Sequence, residues 1–234
     1  MSELKLMYAG HSAVFLELAG LHIAIDPWLK GNPLCPHTLQ NPEQLDLIAL
    51  THGHADHASD AVRIQKLTGA KIAATYELAM IMIAEGVSPE NVLPMNKGGS
   101  VTVGDVTLRL TNAFHSSSFD GKNGTVYAGE ACGVVVSSGN RAVYHAGDTS
   151  LFGDMKQIGE LYRPTVALLP VGDRFTMGPH EAAHAARLIG ASVSIPIHHK
   201  TFDLLTGTAE EFIKQCALHK VESDELKVGE RVTF

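Results

Sequence analysis

An α+β fold is predicted for this chain on three observations. Strand-like apolar runs open each half and helix-like runs close it, so the order reads strands, helices, strands, helices, with the halves meeting near Lys97. Turn residues separate the early runs where a meander needs them. Metal-binding side chains, His52, His54, His115, Asp148 and His198, each stand directly after a strand-like run, the position at which open α/β folds carry their sites. Such residues come from both halves, and no linker, short repeat or low-complexity segment divides them. Residues 1–234 are therefore read as a single domain.

Leu4-Lys5-Leu6-Met7-Tyr8 and Ala13-Val14-Phe15-Leu16-Glu17-Leu18 read as strands broken by Gly10-His11-Ser12. Ala19-Gly20 turns the chain into a third, Leu21-His22-Ile23-Ala24-Ile25, which ends at Asp26-Pro27-Trp28. His11 and His22 fall in this strand region and are read as structural. Residues 30–42, rich in Pro, Gly and Asn, form a loop; one this long is either a lid or binding loop, or plain surface.

Leu45-Asp46-Leu47-Ile48-Ala49-Leu50 reads as a buried strand, and the ten residues from Ala58 to Leu67 as a helix. Between them lies Thr51-His52-Gly53-His54-Ala55-Asp56-His57, with three histidines and one carboxylate inside six residues. Neutral imidazole and carboxylate are the donors that hold zinc and its first-row neighbours. The i, i+2 spacing of His52 and His54 in an extended turn points both the same way. Asp56 and His57 open the next element and face a second metal.

Beyond the motif, Ala70-Lys71-Ile72-Ala73-Ala74 is a short strand, and residues 76–85 a helix stopped by Gly86. Its Met80-Ile81-Met82-Ile83 cluster is read as core or as a contact between copies in a homo-oligomer. Val101-Thr102-Val103 and Val106-Thr107-Leu108-Arg109-Leu110 form a hairpin about Gly104-Asp105 and lead to His115 in Asn112-Ala113-Phe114-His115-Ser116-Ser117-Ser118. Residues 119–129 are read as a flexible loop. A second hairpin turns at Gly139-Asn140 and ends at Gly147-Asp148-Thr149, with His145 inside its return strand and not counted as a ligand. A helix over 151–162, a buried strand Val166-Ala167-Leu168-Leu169-Pro170, and a helix stopped by Gly190 follow. Val193-Ser194-Ile195-Pro196-Ile197 ends at His198-His199. Thr208, with Glu211 three residues on, caps the last helix, and a short tail closes the chain.

His52-Gly53-His54-Ala55-Asp56-His57 resembles the HxHxDH signature of the metallo-β-lactamase-fold superfamily, and the resemblance extends over nearly the whole chain. It implies a four-layer αββα sandwich with the site between two sheets. It further implies one metal on His52, His54 and His115, another on Asp56, His57 and His198, and Asp148 bridging them. By the same resemblance Asp26 orients a ligating histidine from behind. Two divalent metal ions per chain are implied, zinc by default, with manganese or iron also suited to an all-nitrogen and oxygen donor set. Such a pair brings a water toward deprotonation at neutral pH and polarises a carbonyl or phosphoryl oxygen. Asp56 is the catalytic candidate, holding the nucleophile as well as a metal. Asp26-Pro27-Trp28-Leu29, His145-Ala146-Gly147-Asp148-Thr149 and Phe175-Thr176-Met177-Gly178-Pro179 are similar to a branch of metal-dependent hydrolases of unassigned substrate, related to the L-ascorbate-6-phosphate lactonases.

Of the adjacent pair His198-His199, the first is expected to ligate, because consecutive residues at a strand end point in opposite directions. His199, Arg174 and Ser116 are read as substrate contacts, Arg174 for an anionic group. The expected activity is hydrolysis of a small ester, lactone or phosphoester. The alternatives are a phosphodiesterase or nuclease of the same fold, and a non-catalytic metal-binding protein.

A net charge of −7 argues against a nucleic-acid partner, which needs a basic surface, and leaves a small-molecule substrate. Thirteen histidines suit a metal protein. Cys35, Cys132 and Cys216, odd in number and widely spaced, suggest a reducing compartment without a disulfide framework. The N-terminal residues do not read as a signal peptide, and no apolar run has the length of a membrane span, so a cytoplasmic protein is expected.

Overall fold

The computed structural model describes residues 3–122 and 124–234. Three antiparallel strands, β1 (Leu4–Gly10), β2 (Ala13–Leu18) and β3 (Leu21–Ile25), begin it. Then follow β4 (Leu47–Ala49), α1 (Ala55–Ala58), α2 (Ala61–Thr68), β5 (Lys71–Thr75), α3 (Tyr76–Ala84) and β6 (Val92–Met95), with β3 to β6 parallel. The second half repeats the plan. β7 (Ser100–Val103), β8 (Val106–Asn112), β11 (Cys132–Ser138) and β12 (Arg141–His145) run antiparallel, with the hairpin β9 (Ser118–Gly121) and β10 (Gly124–Tyr127) inserted between β8 and β11. α4 (Met155–Tyr162), β13 (Val166–Pro170), α5 (Pro179–Ile189) and β14 (Val193–Ile197) add parallel strands, and α6 (Ala209–Leu218) and β15 (Arg231–Thr233) end the chain.

The first sheet has the order β15-β1-β2-β3-β4-β5-β6 and the second β14-β13-β12-β11-β8-β7, so the change of sheet falls between Met95 and Ser100, at the expected place. The alternating burial of β1, β2 and β8 sends Leu4, Leu6, Leu16, Leu108 and Leu110 into one apolar core between the sheets, joined by Val134, Val166, Leu168 and Ile195. Ile64, Leu78 and Met82 cover the other face of the first sheet, and Met155, Ala183 and Phe212 that of the second. The result is the four-layer αββα sandwich that the resemblance implies. No helix among the described residues is long and apolar enough to cross a membrane.

Three local readings need correction. Residues 119–129 are not a flexible loop: Thr125 pairs with Asp120 and Val126 with Phe119 in the β9–β10 hairpin, though Asn123 at its tip lies outside the described residues. The C-terminal tail returns as β15 along the edge of β1. The helix read over 58–67 starts later, as α2 at Ala61, with a separate short α1 over Ala55–Ala58, and Asp60 between them accepts from the backbone N–H groups of Leu29 and Lys30 (2.8 and 2.6 Å). The capping of α6 is as read, with Thr208 Oγ1 accepting from Glu211 N–H at 3.2 Å.

α4 approaches α5 so closely that a Cβ on Gly159 would collide with the backbone carbonyl of Ile189. Gly159→Ala is therefore expected to destabilise the protein by about 1–3 kcal/mol, overpacking against rigid backbone outweighing the gain in helix propensity. Urea unfolding checks this, and a stabilised variant would contradict the contact.

Candidate metal centre

The sandwich collects carboxyl ends of strands along one edge. Asp26 follows β3, the His52–His57 turn follows β4, His115 follows β8, Asp148 follows β12 and His198 follows β14. Gly53 lets the turn pass beneath the β9–β10 hairpin, for a Cβ there would lie 2.7 Å from Ala128 Cβ and 2.8 Å from the Ser118 carbonyl oxygen. Ser117 pins the crossing: its Oγ accepts from Gly53 N–H (3.1 Å) and donates to the Ala128 carbonyl (3.3 Å).

Two groups of donors result. His52, His54 and His115 bring ring nitrogens within 4.8 Å of one another, with His52 Nε2 3.0 Å from His54 Nδ1. Asp56, His57 and His198 form the second group, and His11 stands with them. Asp148 faces both. Its Oδ2 is 3.0 Å from His198 Nε2 and 3.7 Å from His115 Nε2, and its Oδ1 is 3.4 Å from His57 Nε2.

Asp26 sits behind both groups, fully buried. Its Oδ1 accepts from Thr51 N–H (2.8 Å), and its Oδ2 from Thr51 Oγ1–H (2.6 Å) and His57 Nδ1–H (2.8 Å). Both its oxygens are thus engaged in hydrogen bonds, although Asp26 lies within donor distance of His52 and His57. Thr51 has spent its proton on Asp26, so it accepts from His52 Nδ1–H at 3.0 Å. One carboxylate thereby fixes the Nδ1 proton of both histidines and turns each Nε2 toward the centre.

Burial holds His52 well below the usual imidazole range, with neighbouring His57 adding to the effect, and lowers His54 and His115 in the same direction. Asp148 is buried too, but attraction to His198 and His57 overrides burial and holds its carboxyl well below the usual carboxylate range. His57 moves upward: burial opposes its charge, and Asp148 and Asp26 outweigh burial. Neutral His52, His54 and His115 beside the ionised Asp148 are in the protonation states a divalent cation requires, whereas His57, whose charged form its carboxylate neighbours favour, would give up its Nε2 proton to a cation. His57 Nε2 and Asp148 Oδ1, both buried, face each other at 3.4 Å without a well-formed hydrogen bond, and a cation in place of the His57 Nε2 proton would satisfy both. The donor set fits one.

His11 is the residue the sequence reading set aside. Fully buried in the turn after β1, it lies 3.1 Å from Asp56 Oδ2 through Nε2 and 2.9 Å from Thr201 Oγ1 through Nδ1. Its carbonyl accepts from His198 N–H at 2.7 Å. The strand-end rule that finds the other donors also marks His11, had Gly10-His11-Ser12 been read as more than a hairpin turn. His11, Asp26 and His198 all have left-handed backbone, φ 57°, 46° and 56°, costing about 1 kcal/mol or more each; such strain gathers where side chains must be aimed. His145 stays structural, its ring bridging the Ser12 carbonyl (2.9 Å) and Gly147 N–H (3.1 Å).

The three expected substrate contacts have different surroundings. Ser116 is exposed and, with His115, lines a cleft of about 380 Å³ also bounded by Lys97, Phe114, Tyr127 and Glu130. His199 is buried, its ring under the influence of Lys200 and Glu225. Arg174 is exposed on a turn of two left-handed residues, Asp173 and Arg174, with its guanidinium 5.7 Å from the Phe175 ring centre. A groove of about 400 Å³ beside Lys5, Phe15 and Arg231 contains none of these residues.

Residues 22–199 match the family model described as the β-lactamase superfamily domain. A metal-dependent hydrolase of Rubrobacter xylanophilus is 49% identical over 212 residues, covering 89% of this chain and 86% of the relative. One from Koribacter versatilis is 42% identical over 230 residues, 96% and 98% of the two chains. Among solved structures, a metallo hydrolase of the hyperthermophilic archaeon Ignicoccus hospitalis superposes with a TM-score of 0.88 at 36% identity, covering 99% of this chain and 98% of the other.

Proposed function

The chain belongs to the β-lactamase superfamily, among its metal-dependent hydrolases, and from that premise we propose that it holds two divalent cations and cleaves a small ester, lactone or phosphoester. His52, His54 and His115 would hold one cation, and Asp56, His57 and His198 the other, with Asp148 shared. The position of Asp148 between the groups carries this reading, since one carboxylate lies 3.0 Å from His198, 3.4 Å from His57 and 3.7 Å from His115. Cations bound there would supply a Lewis acid for the substrate oxygen and a water of lowered pKa. Asp56 would orient that water, with His11 Nε2 holding its Oδ2, the oxygen that also faces His198 at 3.9 Å. Asp26 would keep His57 and His52 in their donor tautomers. Zinc is the proposed metal, manganese and iron being compatible with the same donors.

Elemental analysis of protein reconstituted with zinc, and separately with manganese, is expected to give two ions per chain. One ion or fewer at saturation would sink the dinuclear reading. A screen of lactones, carboxylic esters and phosphoesters with the same preparation tests the reaction class, and turnover of none of them would remove it.

A further inference from the structure

Apolar side chains crowd the approach to the metal centre. Leu67, Tyr76, Leu161 and Leu218 are exposed singly on separate helices, which is ordinary for a protein surface. Phe114, Tyr127 and Phe202 lie differently. Phe114 precedes His115, Tyr127 ends β10 over the same cleft, and Phe202 follows Thr201, the hydroxyl that meets His11. The Phe202 ring, 40% exposed, stacks on Trp28 with centres 5.9 Å apart, and both rings meet the His11 ring in T-shaped contacts at 5.6 and 5.3 Å. His11 in turn touches Asp56. An aromatic surface thus runs from solvent to the second donor group.

That surface is held in place. The Trp28 indole lies across Gly31, where a Cβ would fall 2.7 Å from Nε1. Asn32 Nδ2–H donates to the Trp28 carbonyl at 3.2 Å, and Thr201 Oγ1 anchors the turn that carries Phe202. A part-exposed ring held in place offers a further aromatic ring an offset-stacked or edge-to-face contact, the arrangements aromatic pairs prefer. Given the hydrolase reading above, on which this inference rests, we infer that the substrate carries an aryl group beside its reacting carbonyl or phosphoryl, and that the Phe202–Trp28 stack seats that group.

Trp28 is the sole tryptophan, so its fluorescence reports the stack directly. Phenylphosphonate and methylphosphonate, neither of them hydrolysed, are titrated into the zinc-reconstituted protein. Phenylphosphonate is expected to bind about tenfold or more tighter, the discrimination an apolar pocket provides, and to change Trp28 emission. Phe202→Ala should erase the difference while leaving methylphosphonate affinity and zinc content as they were. Phe202→Leu, apolar but not planar, should keep only part of it. Equal affinities in the unaltered protein, no measurable phenylphosphonate binding, or a preference that survives Phe202→Ala and vanishes in Phe114→Ala would each overturn the assignment. The titration needs no turnover. A failed ester screen would count against the reaction class alone, whereas equal phosphonate affinities alongside ester turnover would count against the aryl seat alone.

Discussion

Asp56→Ala is expected to lower kcat/KM on the true substrate by about a thousandfold or more, the upper range for a positioned acid–base group. Burial alone would favour the protonated carboxyl. The His11 hydrogen bond and attraction to His57 outweigh it and pull the group well below the usual carboxylate range, leaving an anion at neutral pH for both cation and nucleophile. The fold should survive, because Asp56 lies in the first turn of a four-residue helix with 29% of its side chain exposed. A cost of about 1–3 kcal/mol is expected, since buried His11 loses its acceptor. Asp56→Asn restores an oxygen to His11 without the charge, and should recover the stability but not the rate. Near-native turnover by Asp56→Ala would show that the catalytic role lies elsewhere.

His198→Ala should lower metal content from two ions toward one, whereas His199→Ala should leave it unchanged. Val193, Ile195 and Ile197 of β14 share the face turned to the core between the sheets, and at the strand's end, where the backbone of His198 is left-handed (φ 56°), the His198 ring lies 3.0 and 3.9 Å from Asp148 and Asp56. His199 packs inward, where burial lowers it to about 4 and Lys200 adds to that. Its removal leaves a cavity and should cost about 1–3 kcal/mol of stability. Sign matters in acid. A histidine whose folded pKa is depressed takes its proton more readily when unfolded, so the stability it contributes is present above about 6.5 and lost as pH falls toward 4. His199→Ala should accordingly show a shallower loss of stability over that window, measured by urea unfolding of the metal-free protein. Metal lost from His199→Ala and retained by His198→Ala would reverse the assignment.

Much of this was readable from spacing because the donors obey one rule: an apolar strand run, then a polar side chain at its carboxyl end. That rule reaches His52, His54, His115, Asp148 and His198 without any knowledge of how the sheets stack, while the part of Asp26 comes from the family resemblance alone. It fails where aim depends on backbone conformation. Where Arg174 aims is set by two successive left-handed residues, Asp173 and Arg174, which leave it exposed beside Phe175, and the sequence marks a loop there without that conformation. His11 was passed over because a glycine-flanked turn between two antiparallel strands already has a sufficient explanation. The β9–β10 hairpin escaped notice because it has few apolar residues and stays exposed along β10, so no alternation betrays it. Thr51 and Thr201 carry no signature; only their distances to Asp26 and His11 reveal them.

The donors are divided between the halves, with His52, His54, Asp56 and His57 before the change of sheet and His115, Asp148 and His198 after it. During synthesis on the ribosome the first half emerges with only two donors for each proposed cation. His198 is among the last of the set to leave the exit tunnel. Cation capture would then be a late event, completed only when the second sheet has docked on the first, and the ions would act as a latch on the finished sandwich. Chains stalled before β14 should purify without tightly held metal, however much zinc the cell contains.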